Sequence, residues 1–393
     1  MPGKPVNHRT AITTALILGL SASLLLALFS SESFAQSKDP FRFGVALPLT
    51  GSAAPFGSDQ VQALEWAVAD INAKGGANGR RLEAVILDTQ ANPQLGVNAV
   101  TRLISVEKVP VVITAWSAVV AAVAPIVNRN STLALIIGAN SPRIANMGDY
   151  VYTTYPLAEV DVTLLAKYAY KELAKRKVAV IHINDESGVY GARVFRDAFQ
   201  KLGGDVVAFE SYEPNATDYT GAILKLRAAN PDLVHLHGNA GDSPQAVAQL
   251  RQLGLSVPIT SYTAAYNPQL VEKVGKPADG LIVASLAPGP NDSPAVARYV
   301  ERWKKEKGRE PNNIPVTQYV HDGAYIIKAL VEHLDRTGLP LTGENMRKAL
   351  LAVRTFNLPL TGDVTINDNH TVLKPVYLLE VKGGRFTPVA VYQ

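Results

Sequence analysis

From Phe41 onward, short runs of β-branched and aromatic residues alternate with longer stretches whose apolar side chains recur every third or fourth position. Phe41–Leu47 reads as a strand. In Gly57–Asn72 the residues Val61, Leu64, Ala67, Val68 and Ile71 fall on one helical face. The breaker "GGANGRR" follows, and then a strand at Leu82–Leu87. Asn92-Pro93 opens the next helix, with proline at its first position. Val109–Ile113 and Leu133–Ile137 are strand-like, and the small-residue run after Trp116-Ser117 reads as a helix.

The pattern then restarts. Strands are predicted at Lys177–Ile183, Asp205–Phe209, Leu233–Leu236, Pro258–Ser261 and Leu281–Ser285. Helices are predicted around Gly191–Lys201, Thr217–Ala228, Pro244–Leu253 and Pro268–Val274. Two helical segments follow, Pro294–Lys307 and Val316–Arg336, and the chain ends in short strands at Val376–Val381 and Phe386–Val391 joined by "KGG". Repeated strand–helix alternation predicts parallel sheets covered on both faces by helices. Two such series predict an α/β protein with two doubly wound lobes. Ligands of such sheets sit beyond the carboxyl ends of the strands, where strand order reverses. "AWS" after the third strand and "GANSP" after the fourth stand at that place.

Composition narrows the class. A chain of 393 residues suits two domains or one large one. The formal net charge is +4, spread among acids, and the densest basic run, Arg302–Lys307, reads as a solvated helix face, which argues against nucleic-acid binding. There is no cysteine, which removes disulfides, thiolate nucleophiles, cysteine metal sites and a lipid anchor. Near the N-terminus Lys4, His8 and Arg9 precede the apolar run "AITTALILGLSASLLLALF" and the small-x-small site Ser33-Phe34-Ala35. This reads as a signal peptide over residues 1–35, cut after Ala35, with an uncleaved membrane anchor as the alternative. The mature chain is expected outside the cytoplasm.

Signatures of catalysis are thin. The G-x-S-x-G, G-x-G-x-x-G, phosphate-loop and H-E-x-x-H motifs are all absent from the sequence. His235 and His237 share a strand face, but two histidines without a third ligand read better as hydrogen-bonded strand residues than as a zinc site. Asp185-Glu186 reads as solvated loop charge before it reads as an acid pair. His321-Asp322 reads as a structural hydrogen bond on a helix. No metal, prosthetic group or catalytic residue is expected.

The first third, "FGVALPLTGSAAPFGSDQVQALEWAVADINAKGGANGRRLEAVILDTQANP", resembles the N-terminal lobe of the Leu/Ile/Val-binding family of periplasmic solute-binding proteins. Further matches are "VYGARVFRDAF", "ATDYTGAILKLRAANPDLVHL", "LRQLGL" and "QYVHDGAYIIKAL", so the likeness covers nearly the whole mature chain. The resemblance implies two lobes joined by three crossovers, near Thr153–Pro156, Ser285–Pro288 and Leu358–Gly362. It divides the chain into an N-terminal lobe of 36–154 plus 287–357 and a C-terminal lobe of 155–286 plus 358–393. It also implies a monomer that binds without turnover and hands its solute to the permease subunits of an ABC importer. A ligand-presenting sensor subunit, or an α/β enzyme, is the alternative.

By the same resemblance, Ser117 receives a solute carboxylate with its hydroxyl and backbone N–H, and Trp116 forms an apolar wall. The loop Gly138-Ala139-Asn140-Ser141 matches the family's second contact, a backbone carbonyl facing the solute and a hydroxyl side chain completing the clamp, which falls on Asn140 or Ser141 depending on register. Tyr190 closes over the solute from the other lobe, and Phe56 and Asn239 complete the lining. Thr263 falls where amino-acid-binding relatives tend to carry an acid for the ammonium group. Asp185, Glu186 or Asp242 could replace that acid from another position. The retained anion site without the acid points to a small carboxylate lacking an α-ammonium group, such as an aromatic or other organic acid. Amino acids and amides are the competing solutes.

Overall fold

The computed structural model describes residues 1–3 and 38–392. The signal-peptide reading of residues 1–35 therefore lies outside the described residues, apart from the first three. Residues 40–393 form one compact unit.

The first strand–helix series builds a five-stranded sheet ordered β2-β1-β3-β4-β5. Its strands are β1 (Lys38–Leu47), β2 (Arg80–Asp88), β3 (Val111–Thr114), β4 (Leu133–Ile136) and β5 (Val151–Thr153). The pairs β1–β3, β3–β4 and β4–β5 are parallel. All four residues of β3 and of β4 are buried, which is why these strands read as unbroken apolar runs. The connecting helices are α1 (Ala54–Ala73), α2 (Pro93–Ser105) and α3 (Ser117–Arg129).

A second sheet follows, after α4 (Ala158–Lys171). It consists of β6 (Lys177–Ile183), β7 (Asp205–Tyr212), β8 (Leu233–His237), β9 (Ile259–Ser261) and β10 (Leu281–Ser285), alternating with α5 (Glu186–Lys201), α6 (Thr220–Ala228), α7 (Ser243–Gln252) and α8 (Pro268–Val274). Helices α9 (Pro294–Lys307), α10 (Ile314–Thr337) and α11 (Gly343–Val353) come next, then the hairpin β11 (Thr355–Leu358) and β12 (Gly362–Thr365). The last strands, β13 (Val376–Lys382) and β14 (Arg385–Tyr392), join the second sheet, whose order is β14-β13-β10-β9-β8-β6-β7. Both pair antiparallel, so this sheet is mixed where the alternation alone predicted a parallel one. The two-residue turn Gly383-Gly384, with both glycines at positive φ, folds β14 straight back along β13.

Strand order reverses between β1 and β3 in the first sheet and between β6 and β8 in the second. Helix starts differ from the sequence reading at both crevices. Helix α1 begins at Ala54, three residues before Gly57, and α5 at Glu186, five before Gly191. These glycines look like breakers in sequence, but each permits a close approach. A Cβ on Gly57 would lie 1.7 Å from the Pro48 carbonyl oxygen, and one on Gly191 would lie 2.2 Å from His237 Nε2. The helix N-termini are thereby drawn against the strand ends that carry the site. Helices α4 and α11 and the β11–β12 hairpin were not singled out from sequence.

The described residues include no helix long and apolar enough to cross a membrane.

Asp322 organises the turn between β11 and β12. Its carboxylate accepts from the Thr361 N–H at 2.7 Å, the Thr361 hydroxyl at 2.7 Å and the Leu360 N–H at 3.2 Å, while His321 Nδ1 lies 2.9 Å from its other oxygen. The His321-Asp322 dipeptide is thus the structural hydrogen-bonded pair its sequence suggested, and it holds the Leu358–Gly362 segment.

Candidate functional site

A cavity of about 590 Å³ opens between the strand ends of the two sheets. Its walls come from the loops after β1, β3 and β4 on one side and after β6, β8 and β9 on the other, as the two switch points require. Of the residues singled out in the sequence, Phe56, Trp116, Ser117, Gly138, Asn140 and Asn239 line it. Ser141, Tyr190 and Thr263 do not.

Trp116 is the N-cap residue of α3, at φ 64° and ψ 115°, a conformation that costs a bulky residue energy and persists only where the surroundings enforce it. It makes no side-chain cap. The first amides of α3 therefore lack acceptors within the helix, and they face a cavity-lining segment, Trp116 to Ala118. Ser117 does not cap its own helix either. Its Oγ accepts the backbone N–H groups of Asn140 and Ser141, both at 3.2 Å. With two donors on its oxygen, the hydroxyl has its proton left to give. Beside it, Asn140 is 3% exposed, and its Nδ2 has no partner among protein groups. One corner of the cavity thus offers a helix N-terminus, a hydroxyl proton and an amide N–H₂, all donors.

The three residues outside the lining have other work. Ser141 Oγ donates to Glu186 Oε1 at 3.0 Å, and Arg143 Nη1 lies 3.2 Å from Glu186 Oε2. The Tyr190 hydroxyl accepts from Arg143 Nη1 at 3.2 Å, and the guanidinium lies 5.0 Å from the ring centre. Ser187 Oγ donates to Asn140 Oδ1 at 2.5 Å. These contacts clasp the Asn140–Arg143 loop to the start of α5, so Tyr190 closes over the rim and not over the cavity. Thr263 is fully buried, and its hydroxyl donates to Asp161 Oδ2 at 3.2 Å. Its carbonyl accepts Asn313 Nδ2 at 3.0 Å.

Asp161 is itself fully buried with Oδ1 unpartnered, and burial pushes its pKa up to about 7. Because the folded value lies above the unfolded one, the protein loses stability as pH rises from about 4 towards 7, while the unfolded chain ionises and the folded one resists. Asp161→Asn is expected to raise stability by about 1–3 kcal/mol at about pH 8, with the gap closing near pH 4, read from urea unfolding at both values. A constant gap would show that ionisation is not the cause.

Sequence reasoning missed several lining residues. Tyr155, Tyr219 and Tyr262 give the cavity aromatic walls. Tyr262 stacks on His237 with ring centres 4.0 Å apart, and His235 stacks on Phe195 at 3.9 Å. Burial holds His237 far below the ordinary histidine value, at about 3, so the pair is a neutral aromatic column behind the wall. Among the described residues no group of three or more potential metal ligands occurs. Gln60, on α1, lines the cavity with Oε1 unpartnered. Asp185 and Asp242 line it from the second lobe. Asp242 Oδ2 accepts the Tyr212 hydroxyl, Oδ1 has no partner, and burial reinforced by the Asp185 charge raises its pKa to about 7. The sequence names these two acids as replacements for the acid absent at Thr263, without a place in the fold.

Residues 40–385 match the family model described as periplasmic binding protein. The chain belongs to that family. It is 25% identical over 348 residues to the Leu/Ile/Val-binding protein homolog 3 of Brucella melitensis, covering 86% of this chain and 91% of that one. A leucine-binding protein from Thermotoga maritima superposes with a TM-score of 0.80 at 26% identity, covering 89% of this chain and 98% of that one. A solute-binding protein of an ABC transporter from Rhodopseudomonas palustris, solved with 3,4-dihydroxybenzoic acid, gives a TM-score of 0.80 at 20% identity, covering 90% and 98%. The fold is that of a two-lobed periplasmic binding protein with the cleft between its lobes, and the role is solute binding.

Proposed function

We propose that this periplasmic binding protein captures a small carboxylate-bearing solute, an organic or aromatic acid or an amino acid, and delivers it to the permease subunits of an ABC importer. The observation that carries the reading is the donor corner of the cavity. Ser117 has both acceptor positions filled by N–H groups, so its hydroxyl, the α3 amides and the orphan Nδ2 of Asn140 converge with donors alone. A buried donor without an acceptor costs about 1–3 kcal/mol, and a carboxylate removes that cost at several groups together. Trp116 supplies an apolar face beside it. Export through a leader cut after Ala35, action as a monomer, and lobes of 36–154 plus 287–357 and 155–286 plus 358–393 belong to the same proposal.

The test is thermal unfolding of the mature protein, stripped of solute by unfolding and refolding, against amino acids, aromatic acids, aliphatic acids and amides. A solute at a hundred times its dissociation constant adds about 2.7 kcal/mol, on the order of 5–10 °C in midpoint. Stabilisation by carboxylates and not by their amides supports the proposal. Stabilisation by amides alone, or chemical conversion of the solute, overturns it.

Closure is expected to contribute to affinity through contacts the solute never touches. Glu186 ties the Ser141–Arg143 segment to α5, bonds available only with the two segments together. Glu186→Gln should weaken binding of every solute by the same factor, about three- to tenfold, because it lowers the closed population and leaves the cavity intact. Calorimetry on two chemically different solutes checks this. Unequal losses would place Glu186 in direct contact with the solute.

A further inference from the structure

We infer that the solute carries, besides its carboxylate, a protonated amine remote from it, held between Gln60 on one wall and Asp185 and Asp242 on the other: an ω-amino carboxylate. The inference rests on the carboxylate reading above and adds the second contact point.

Two buried oxygen acceptors of cavity-lining residues lack donors. Gln60 is 4% exposed, and its Oε1 has no partner. Asp242 Oδ1 is likewise shielded from water and unpartnered, while its Oδ2 accepts from Tyr212. Asp185 is better supplied, with Oδ1 accepting the Gly188 N–H at 2.8 Å and Oδ2 the Asn239 amide at 3.0 Å. Acceptors without donors, beside a second carboxylate, call for a ligand group rich in N–H. An ammonium answers both needs, since it donates three hydrogen bonds and offsets the acids' mutual repulsion.

Contacts order these groups along the cleft. At the α5 start, Glu186 and Ser187 touch Ser141 and Asn140, next to the donor corner. Asp185 comes next and bonds Asn239, and the chain then runs to Asp242. In that loop a Cβ on Gly241 would lie 3.9 Å from both the Phe56 ring and the Ser52 carbonyl oxygen. The acids therefore lead away from Asn140 towards the Ser52–Phe56 loop. On the opposite wall Gln60 stands one helical turn beyond Phe56, on the same face of α1. The unpartnered acceptors belong to Gln60 and Asp242 at this end and the unpartnered Nδ2 to Asn140 at the other, with Trp116, Tyr219 and Tyr262 also lining the cavity. An α-ammonium sits on the carbon that bears the carboxylate and stays in the donor corner. The Thr263 hydroxyl is turned away into Asp161 and does not line the cavity. An amine set on an apolar spacer reaches the acids.

The experiment is calorimetric titration of the stripped protein with γ-aminobutyrate, ε-aminocaproate, their amine-free parent acids and their α-amino isomers. At least one ω-amino acid should bind about tenfold or more tightly than both its parent acid and its α-amino isomer. In Asp242→Asn the affinity ratio of ω-amino to amine-free acid should fall by about tenfold. Asp185→Asn serves the same purpose if Asp242→Asn does not fold. Equal or tighter binding of the amine-free or α-amino compounds, or an unchanged ratio in the variant, overturns the inference. If the carboxylates bind, and lose affinity on Ser117→Asp, yet gain nothing from a remote amine, the carboxylate reading stands and this inference alone falls. If no carboxylate binds, both fall.

Discussion

Ser117→Asp is expected to lower the affinity for any carboxylate solute at least about a hundredfold while leaving the fold intact. Ser117 Oγ already accepts the N–H groups of Asn140 and Ser141, and a carboxylate at the same position can accept both. It would also sit at the uncapped N-terminus of α3, where negative charge is favoured. The variant thus carries its own anion in the donor corner and repels the solute's. Ser117→Ala should cost less, about ten- to thirtyfold, because the α3 amides and Asn140 Nδ2 remain. Titration of both variants with the best solute from the stability panel decides the matter. A loss of threefold or less in Ser117→Asp would mean that the anion lies elsewhere.

Asp59→Ala should cost about 3–4 kcal/mol of stability, the largest single loss expected on the first lobe. Asp59 is 3% exposed and accepts Arg309 Nη2 at 2.6 Å and Nη1 at 2.9 Å, the Asn312 N–H at 2.7 Å and Asn312 Nδ2 at 2.8 Å. Its removal strands two Asn312 donors in the interior and leaves the guanidinium without its anion. Arg309 is half-exposed, with 42% side-chain exposure, and water can solvate it, which keeps the loss below the top of the range for buried pairs. Urea unfolding of the refolded protein measures the change. Arg309→Ala should cost less than half as much, since Asp59 keeps both Asn312 bonds. Asp59 precedes Gln60, and Asn312 precedes Asn313, both on the cavity wall, so the same clamp positions the binding surface. Equal losses in the two variants would show that the charge pair, and not the Asn312 bonds, carries the energy.

Much of the architecture was legible along the chain, because strands buried on both faces read as short apolar runs and the helices between them keep a period near 3.6. From that alternation alone, the mouth of β3 could be named as the place to look, and Trp116 and Ser117 stand there. Two helix starts went astray, at Gly57 and Gly191, and the second of these helices carries Gly188 in its first turn. The role of these glycines is to let helix starts meet Pro48, Ile183 and His237, partners a sequence reading does not place beside them. Ser141 and Tyr190 lie outside the cavity lining, because their side chains turn to Glu186 and Arg143, partners that no sequence spacing brings together.

The local order of residues along this chain thus determined its class, its two sheets and one wall of its cleft, because hydrophobic period and strand–helix alternation are short-range properties. Tertiary structure alone decided the chemistry of the opposite wall. Asp161 withdraws Thr263 from the cavity across 102 positions of sequence, and Asp185, Asp242 and Gln60 converge on it from three separate elements. No spacing encodes such a meeting. It follows from the packing that brings the ends of two sheets together.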